Sequence, residues 1–268
     1  MYNNDVILKK FKDNYAKDLI LCQMGQDAVC YAEDFVITDF FYNKYKRVVL
    51  DNKKILEGKT VLDVGANMGH WGLLSLLNGA KSVTCVEPRG QYVNGLNKFS
   101  KMHGLDITSV QGIHSDIFEL GEKFDVVMLG VITECIPDVY GFLQQLKAIT
   151  KHVIILHTSL RDLPPGLCKM EKTYNLTHRT AVDPRSKGYL NNETGNQFDT
   201  KDWSSDDTSK EGVCFRWYYG IDHMTEIFKH FNYKVLRLEE HTQDALAGTV
   251  DLPGKFMQHI IVLEAEQL

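Results

Sequence analysis

Short apolar runs alternate with segments of helical periodicity between residues 58 and 157. The runs are apolar almost throughout, which is typical of strands that are covered on both faces. Strands are predicted at residues 60–64, 82–86, 107–112, 124–129 and 152–156. Helices are predicted between them, at residues 70–78, 91–103 and 137–149. This alternation predicts a parallel sheet with crossover helices.

The regular alternation ends at residue 157. Residues 158–216 show no strong periodicity, and so long an irregular stretch in a compact domain is usually a lid or binding loop. We therefore predict that residues 158–216 form an insertion that determines ligand specificity. A helix is predicted at 221–231, followed by strands at 233–238 and 259–264 that pair antiparallel. The fold class is thus a doubly wound, seven-stranded, mostly parallel α/β sheet with one antiparallel strand near the C-terminus.

The N-terminal part of the chain precedes the predicted sheet. Its aromatic residues recur at helical spacing, so residues 1–57 are predicted to form a helical cap. Residues 58–268 then form the main domain, which contains the insertion.

Composition narrows the classes of function. Hydrophobic residues make up 44% of the chain and charged residues 24%, as in ordinary globular proteins. With a net charge of -5, the chain has no strong positive field that would attract nucleic acid or an anionic membrane. A local basic patch is still compatible with this net charge. There is no long apolar signal or 18-residue apolar run, and the six cysteines lack zinc-site spacing. These observations predict a cytoplasmic protein without a metal site or a membrane partner, and they leave the oligomeric state open.

A glycine-containing loop follows the first strand. It runs from Gly65 to Gly69 and opens a helix, and such loops form the ligand crevice of open α/β sheets. A dinucleotide fingerprint would need glycine where Asn67 and His70 stand, and the Gly-Lys-Ser/Thr end of a phosphate-binding loop is missing as well. Asp63 precedes the loop, and its carboxylate would repel a pyrophosphate. The loop therefore favours a cationic ligand.

The segment from Asp63 to Gly69 resembles motif I, D/E-x-G-x-x-x-G, of the class I S-adenosylmethionine-dependent methyltransferases, which have a Rossmann-like fold. The resemblance implies S-adenosylmethionine as the cofactor. It implies that Glu87 binds the ribose hydroxyls and that Asp116 lies near the adenine amino group. Asp116 could instead cap a turn. The implied cofactor-binding residues are Asp63, Gly65, Ala66, Asn67, Gly69, Glu87, Pro88, Asp116, Ile117, Gly130 and Val131.

Ile117 and the segment 129–134 extend this resemblance. Ile117 follows Asp116 directly and would pack on the purine face. Residues 129–134 resemble the family's fourth motif, which lines the methionine half of the cofactor; Gly130 and Val131 belong to it.

Candidate catalytic residues lie directly after the predicted fifth strand and around the start of the late helix. His157 follows the fifth strand directly and titrates in a range that suits a general base. Tyr219 and His223 stand beside the start of the late helix, where they would hold an acceptor. Each has a structural alternative. His157 could simply stabilise the end of the strand, and the aromatic residues before the late helix could anchor the insertion to the core.

The leading hypothesis is transfer of a methyl group to an oxygen or nitrogen of a small-molecule acceptor. A tRNA-modifying enzyme, transferring methyl or carboxymethyl groups, is a second interpretation, which the basic residues between 161 and 187 permit. Nucleic acid is thus a possible partner but not the favoured one. A catalytically silent scaffold with the same fold is the third.

Overall fold

The computed structural model describes residues 5–24, 37, 39–130, 132–133, 136, 138–161, 168–174, 213–242 and 257–265. The strands are β1 (Thr60–Val64), β2 (Ser82–Glu87), β3 (Ile107–Gln111), β4 (Phe124–Gly130), β5 (Thr150–Arg161), β6 (Cys168–Tyr174), β7 (Val213–Gly220), β8 (Tyr233–Thr242) and β9 (Met257–Ala265). The α-helices are α1 (Val6–Phe11), α2 (Lys17–Met24), α3 (Asp39–Val48), α4 (Lys53–Leu56), α5 (His70–Leu77), α6 (Gly90–His103), α7 (Val139–Ile149) and α8 (Ile221–His230). A π-helical turn (Lys12–Ala16) joins α1 to α2, and 3-10 turns lie at Leu50–Asn52 and Asp116–Glu119.

Seven of these strands form the main sheet in the order β3-β2-β1-β4-β5-β9-β8. Neighbours from β3 to β5 pair in parallel, whereas β9 runs antiparallel to both β5 and β8. The predicted fold class, including the single reversed strand, is confirmed. The carboxyl ends of β1 to β5 meet at one edge of the sheet, where ligands bind in open α/β folds.

The region after β5 departs from the sequence prediction. β5 was expected to end at residue 156, but it continues to Arg161. Its end pairs in parallel with β7, with Leu160 opposite Tyr219, and β7 pairs antiparallel with β6. An irregular stretch was therefore the wrong expectation for the residues of β6 and β7. These pairings join residues far apart in the chain, so local periodicity carries little sign of them; the role of the insertion as a lid stays a prediction.

Buried side chains form two apolar layers, one on each face of the sheet. The first-face layer contains α1, α3, α5 and α6 together with Val61 and Val126. The second-face layer contains α7 and α8 together with Leu62 and Val127. Successive residues of a strand point to opposite faces, so each central strand contributes to both layers. This explains why the strands are apolar throughout.

Candidate cofactor and acceptor site

The loop between β1 and α5 is a tight turn fixed by backbone hydrogen bonds. The amides of Gly65 and Ala66 donate to the carbonyl of Val86 at 2.9 and 3.1 Å, and the Gly69 amide donates to the Ala66 carbonyl at 2.8 Å. The φ angles are positive at Gly65 (72°), Asn67 (53°) and Gly69 (76°). Asparagine tolerates this left-handed conformation better than most residues, which accounts for Asn67. The turn thus begins against β2 and delivers the chain into α5.

The space around the two glycines of this loop is also limited. A Cβ at Gly69 would lie 2.6 Å from Leu96 Cδ2, and a Cβ at Gly65 would lie 3.0 Å from Ile132 Cδ1. Leu96 belongs to α6, and Ile132 follows β4. The loop is therefore packed between the next helix and the segment after β4, and a side chain at either glycine would displace it.

Asp63 is a buried acid directly below this loop. Its side chain is 1% exposed, and its Oδ2 accepts a hydrogen bond from the Gly72 amide at 3.0 Å. Burial raises the pKa of this carboxyl to about 7; the Gly72 hydrogen bond opposes the shift and the charge of Glu87 adds to it. A cation placed beside Asp63 would favour the ionised form. The site is consequently suited to a positively charged ligand.

Asp63 shares a small cavity with His157. Gly130 also lines the cavity, and it lies opposite His157 in the pairing of β4 with β5. His157 is only 2% exposed. The remaining lining residues are Val48, Trp71, Met128 and Leu129. One small cavity thus brings together residues of three neighbouring strands, among them the cofactor candidates Asp63 and Gly130 and the catalytic candidate His157.

Glu87 is held at the end of β2. It is 2% exposed, its Oε2 accepts from the Asn67 amide at 2.8 Å, and its Oε1 accepts from the Arg89 amide at 3.2 Å. The Arg89 Nε also donates to Oε1, and this guanidinium lies 4.1 Å from the centre of the Tyr92 ring. A carboxylate offers about four acceptor positions, so a diol can still be bound. The sequence argument identified Glu87 but missed its partner Arg89.

Asp116 occupies a different environment. It is exposed, and its Oδ2 accepts from the Ile113 amide at 2.8 Å, so it closes the turn that follows β3. The neighbouring Ile117 has 0% exposure and packs in the second-face layer. Turn closure is the alternative that the sequence left open for Asp116, and contact of either residue with adenine stays a prediction.

The other predicted residues are distributed around this edge. The Pro88 carbonyl accepts from Gln111 Nε2 at 3.1 Å. Val131 lies outside the described residues. The rings of Tyr219 and His223 stack with centroids 6.0 Å apart and an angle of 5°, and Tyr219 belongs to the second-face layer. The structure therefore brings Tyr219 and His223 together but places His157 on the first face.

Two further polar features were not found from the sequence. Thr158 lies opposite His259 in the pairing of β5 with β9, and the Thr158 Oγ1 is 2.6 Å from the Thr133 Oγ1. His259 is 1% exposed, neither of its ring nitrogens has a hydrogen-bond partner within the described part of the chain, and burial lowers its pKa. Gln23 of α2 donates from Nε2 to the carbonyl of Met68 at 2.8 Å. Both features depend on contacts between distant segments, and no local motif marks them.

These residues fit S-adenosylmethionine. The buried carboxylate of Asp63 suits its cationic methionine end, and the acceptor positions of Glu87 suit its ribose diol. Within the described residues, no group of three or more His, Cys, Asp or Glu side chains is arranged to hold a metal ion. No helix of the described part of the chain is long and apolar enough to cross a membrane.

Comparisons with known proteins identify the family. A family model described as a methyltransferase domain matches residues 40–238. The chain is 34% identical over 83 residues to ribosomal RNA large subunit methyltransferase I of Aeromonas salmonicida, covering 28% of this chain and 21% of that protein. It is 29% identical over 167 residues to a probable histone-arginine methyltransferase of Oryza sativa subsp. japonica, covering 62% of this chain and 28% of that protein. It thus spans under a third of the length of these curated relatives.

A solved structure supports the fold. The crystal structure of a putative S-adenosylmethionine-dependent methyltransferase from Listeria monocytogenes superimposes with a TM-score of 0.54 and 16% identity. The match covers 81% of this chain and 97% of that one. At this level of identity the likeness establishes a shared architecture.

Proposed function

The chain belongs to the methyltransferase-domain family, whose model covers residues 40–238, and from this premise we propose that it transfers a methyl group to an oxygen or nitrogen of a small-molecule acceptor. Its cofactor is S-adenosylmethionine. When bound, the cofactor supplies a methyl group that its sulfonium already activates. The remaining tasks of the protein are to bind and orient both molecules, exclude water and accept a proton where the acceptor carries one.

The observation that carries this proposal is the cavity shared by Asp63 and His157. Asp63 attracts the cationic end of the cofactor, and the loop from Gly65 to Gly69 orients it. His157 lies opposite Gly130 of the adjoining strand, and its imidazole is proposed as the general base that accepts a proton from the acceptor. Because both side chains are almost fully buried, reaction at this edge would proceed away from bulk water.

A small acceptor is favoured by the uncharged polar groups near the carboxyl end of β5. Thr133, Thr158 and His259 are each at most 1% exposed, and burial lowers the His259 pKa, which keeps the ring neutral. Recognition of nucleic acid relies on cationic contacts to phosphates. The polar groups described here carry no positive charge, and the net charge of -5 adds no general attraction to RNA.

Methyl transfer to RNA or protein is the second candidate. It is supported by the sequence similarity to proteins named as ribosomal RNA and histone-arginine methyltransferases. The described residues near β5 do not add to this support.

Formation of S-adenosylhomocysteine tests the proposal. The purified protein is incubated with S-adenosylmethionine and, separately, with pooled small metabolites, pooled tRNA and rRNA, and pooled peptides. We expect turnover above background with the small-metabolite pool and a loss of that turnover in His157→Asn with the cofactor Kd retained. Turnover only with RNA or peptides would overturn the small-molecule acceptor, and no cofactor binding at all would support a silent scaffold.

A further inference from the structure

The N-terminal helix α2 is attached directly to the proposed cofactor loop. Gln23 is 3% exposed, and its Nε2 donates to the carbonyl of Met68, the residue before Gly69, at 2.8 Å. The Gln23 backbone carbonyl in turn accepts from Gln91 Nε2 of α6 at 2.7 Å. One residue of α2 therefore connects the loop to the helix that packs beneath it.

The close approach of α2 to α6 depends on Gly95. A Cβ at this position would lie 2.6 Å from Gln23 Cα and 2.7 Å from the Cys22 carbonyl oxygen. Both of these atoms belong to the backbone of α2, which cannot move aside as a flexible side chain would. The glycine thus allows α2 to lie against α6 at the height where Gln23 reaches the loop.

The buried amide of Gln23 is only partly satisfied. Its Oε1 is buried and has no hydrogen-bond partner among the residues that the structure describes. A buried acceptor without a partner destabilises the folded state, and an apolar residue of similar shape avoids this cost. The neighbouring contacts of α2 with the loop are apolar, since Ile20, Leu21 and Met68 pack together. Stability of the interior alone would therefore favour an apolar side chain at position 23.

We propose that Gln23 is a positioning residue for the cofactor: it holds the Met68 carbonyl and thereby fixes the loop in its binding conformation. The loop is then anchored on two sides, by Glu87 through the Asn67 amide and by Gln23 through the Met68 carbonyl. The cofactor meets a preformed loop and does not have to order it. This inference rests on the proposed function, because it assumes that the loop binds S-adenosylmethionine.

The substitution Gln23→Met separates positioning from stability. Methionine keeps the length of the side chain, removes the unpaired oxygen and loses the bond to Met68. We expect the melting temperature to be unchanged or higher, while calorimetry shows the Kd for S-adenosylmethionine raised about fivefold, which corresponds to about 1 kcal/mol. With any acceptor that is turned over, KM for the cofactor should rise and kcat should stay. Gln144→Met, at an exposed position of α7, is the matched control and should change neither quantity.

The outcomes distinguish this inference from the proposed function. If the wild-type protein does not bind S-adenosylmethionine, the proposed function fails. If the wild type binds and Gln23→Met binds equally well, the positioning role is wrong. A lower melting temperature with an unchanged Kd would show that Gln23 has a structural role only.

A second variant moves α2 and leaves the amide in place. Gly95→Ala introduces the two backbone clashes and should also raise the cofactor Kd severalfold. Asn94→Ala, at the adjacent exposed position of α6, is its control and should leave the Kd unchanged. An unchanged Kd in Gly95→Ala would contradict the need for this close helix contact.

Discussion

The turns after β1 and β3 were given similar roles by the sequence and differ in physical character. Each lies at the carboxyl end of a strand of the same parallel sheet, and each was predicted to place an acid at the cofactor. At the first turn, Asp63 is buried in a cavity and burial raises its pKa to about 7. At the second, Asp116 is exposed and its carboxylate closes its own turn.

This difference shows that an acid at a strand end does not have a fixed role. The electrostatic effect of a carboxylate on a ligand grows as water is removed from around it. Asp63 is therefore expected to contribute strongly to cofactor affinity, and Asp116 weakly. The variants below test this ranking, beginning with the largest expected effect on cofactor affinity.

The largest effect is expected from Gly69→Val, which alters the first turn itself. Valine is strained at a φ of 76°, and its Cβ would lie 2.6 Å from Leu96 Cδ2. We expect binding of S-adenosylmethionine to become undetectable by calorimetry. Gly121→Val is the matched control, because Gly121 has a φ of 73° but no atom within 4 Å of its Cβ position. The control should lose about 1–2 kcal/mol of stability and retain cofactor affinity; equal losses of affinity would attribute the effect to backbone strain alone.

Asp63→Asn should weaken cofactor binding by about 10- to 100-fold, since it removes a charge-assisted contact of roughly 1.5–3 kcal/mol. The same substitution should increase the stability of the cofactor-free protein at pH 8. The folded-state pKa of Asp63 is raised from 3.8 to about 7, so its stabilising contribution is present at low pH and is lost as the pH rises through 7. At pH 8 the ionised carboxylate destabilises the wild type by an amount on the order of a few kcal/mol.

Urea unfolding at pH 8 checks this second part. Asp63→Asn should be more stable than the wild type there, and the difference should shrink as the pH falls towards 4. A variant that is less stable at pH 8 would contradict the raised pKa of this buried acid.

The pH dependence of binding tests the same group without a mutation. Below pH 7 the cofactor must bind a protein whose Asp63 is protonated, because the pKa of this group is about 7. The affinity for S-adenosylmethionine should therefore fall by up to tenfold per pH unit below 7 and level off above it. Calorimetry between pH 5.5 and 8.5 measures this, and the slope should be absent in Asp63→Asn. A slope that persists in the variant would assign the titration to another group.

Asp116→Ala should have the smallest effect. It removes an exposed hydrogen bond to the Ile113 amide and no buried charge. We expect at most a threefold rise in the cofactor Kd, because exposed charges are screened by water. A loss as large as that in Asp63→Asn would reverse the ranking of the two turns and would support a direct contact of Asp116 with adenine.

The sequence by itself determined the part of the fold that local patterns encode, which includes the strands β1 to β4. The predicted β1 ends coincide with the observed strand, and the other strands from β2 to β4 are within one residue of their predicted ends. The methyltransferase family, inferred from the segment between Asp63 and Gly69 together with Glu87 and Asp116, was also identified correctly. These features are encoded within short windows of strand, turn and helix, where composition and spacing directly reflect backbone geometry.

Only the tertiary structure decided the features that depend on contacts between distant segments. The pairing of β5 with both β7 and β9 placed His259 beside Thr158 and carried β5 beyond its apolar run. The packing of α2 on α6 brought Gln23 to the cofactor loop. The difference in burial between Asp63 and Asp116 likewise depends on which parts of the chain cover each turn. A residue's neighbours across the sheet and its exposure to water are properties of the folded chain as a whole, and a single sequence does not display them locally.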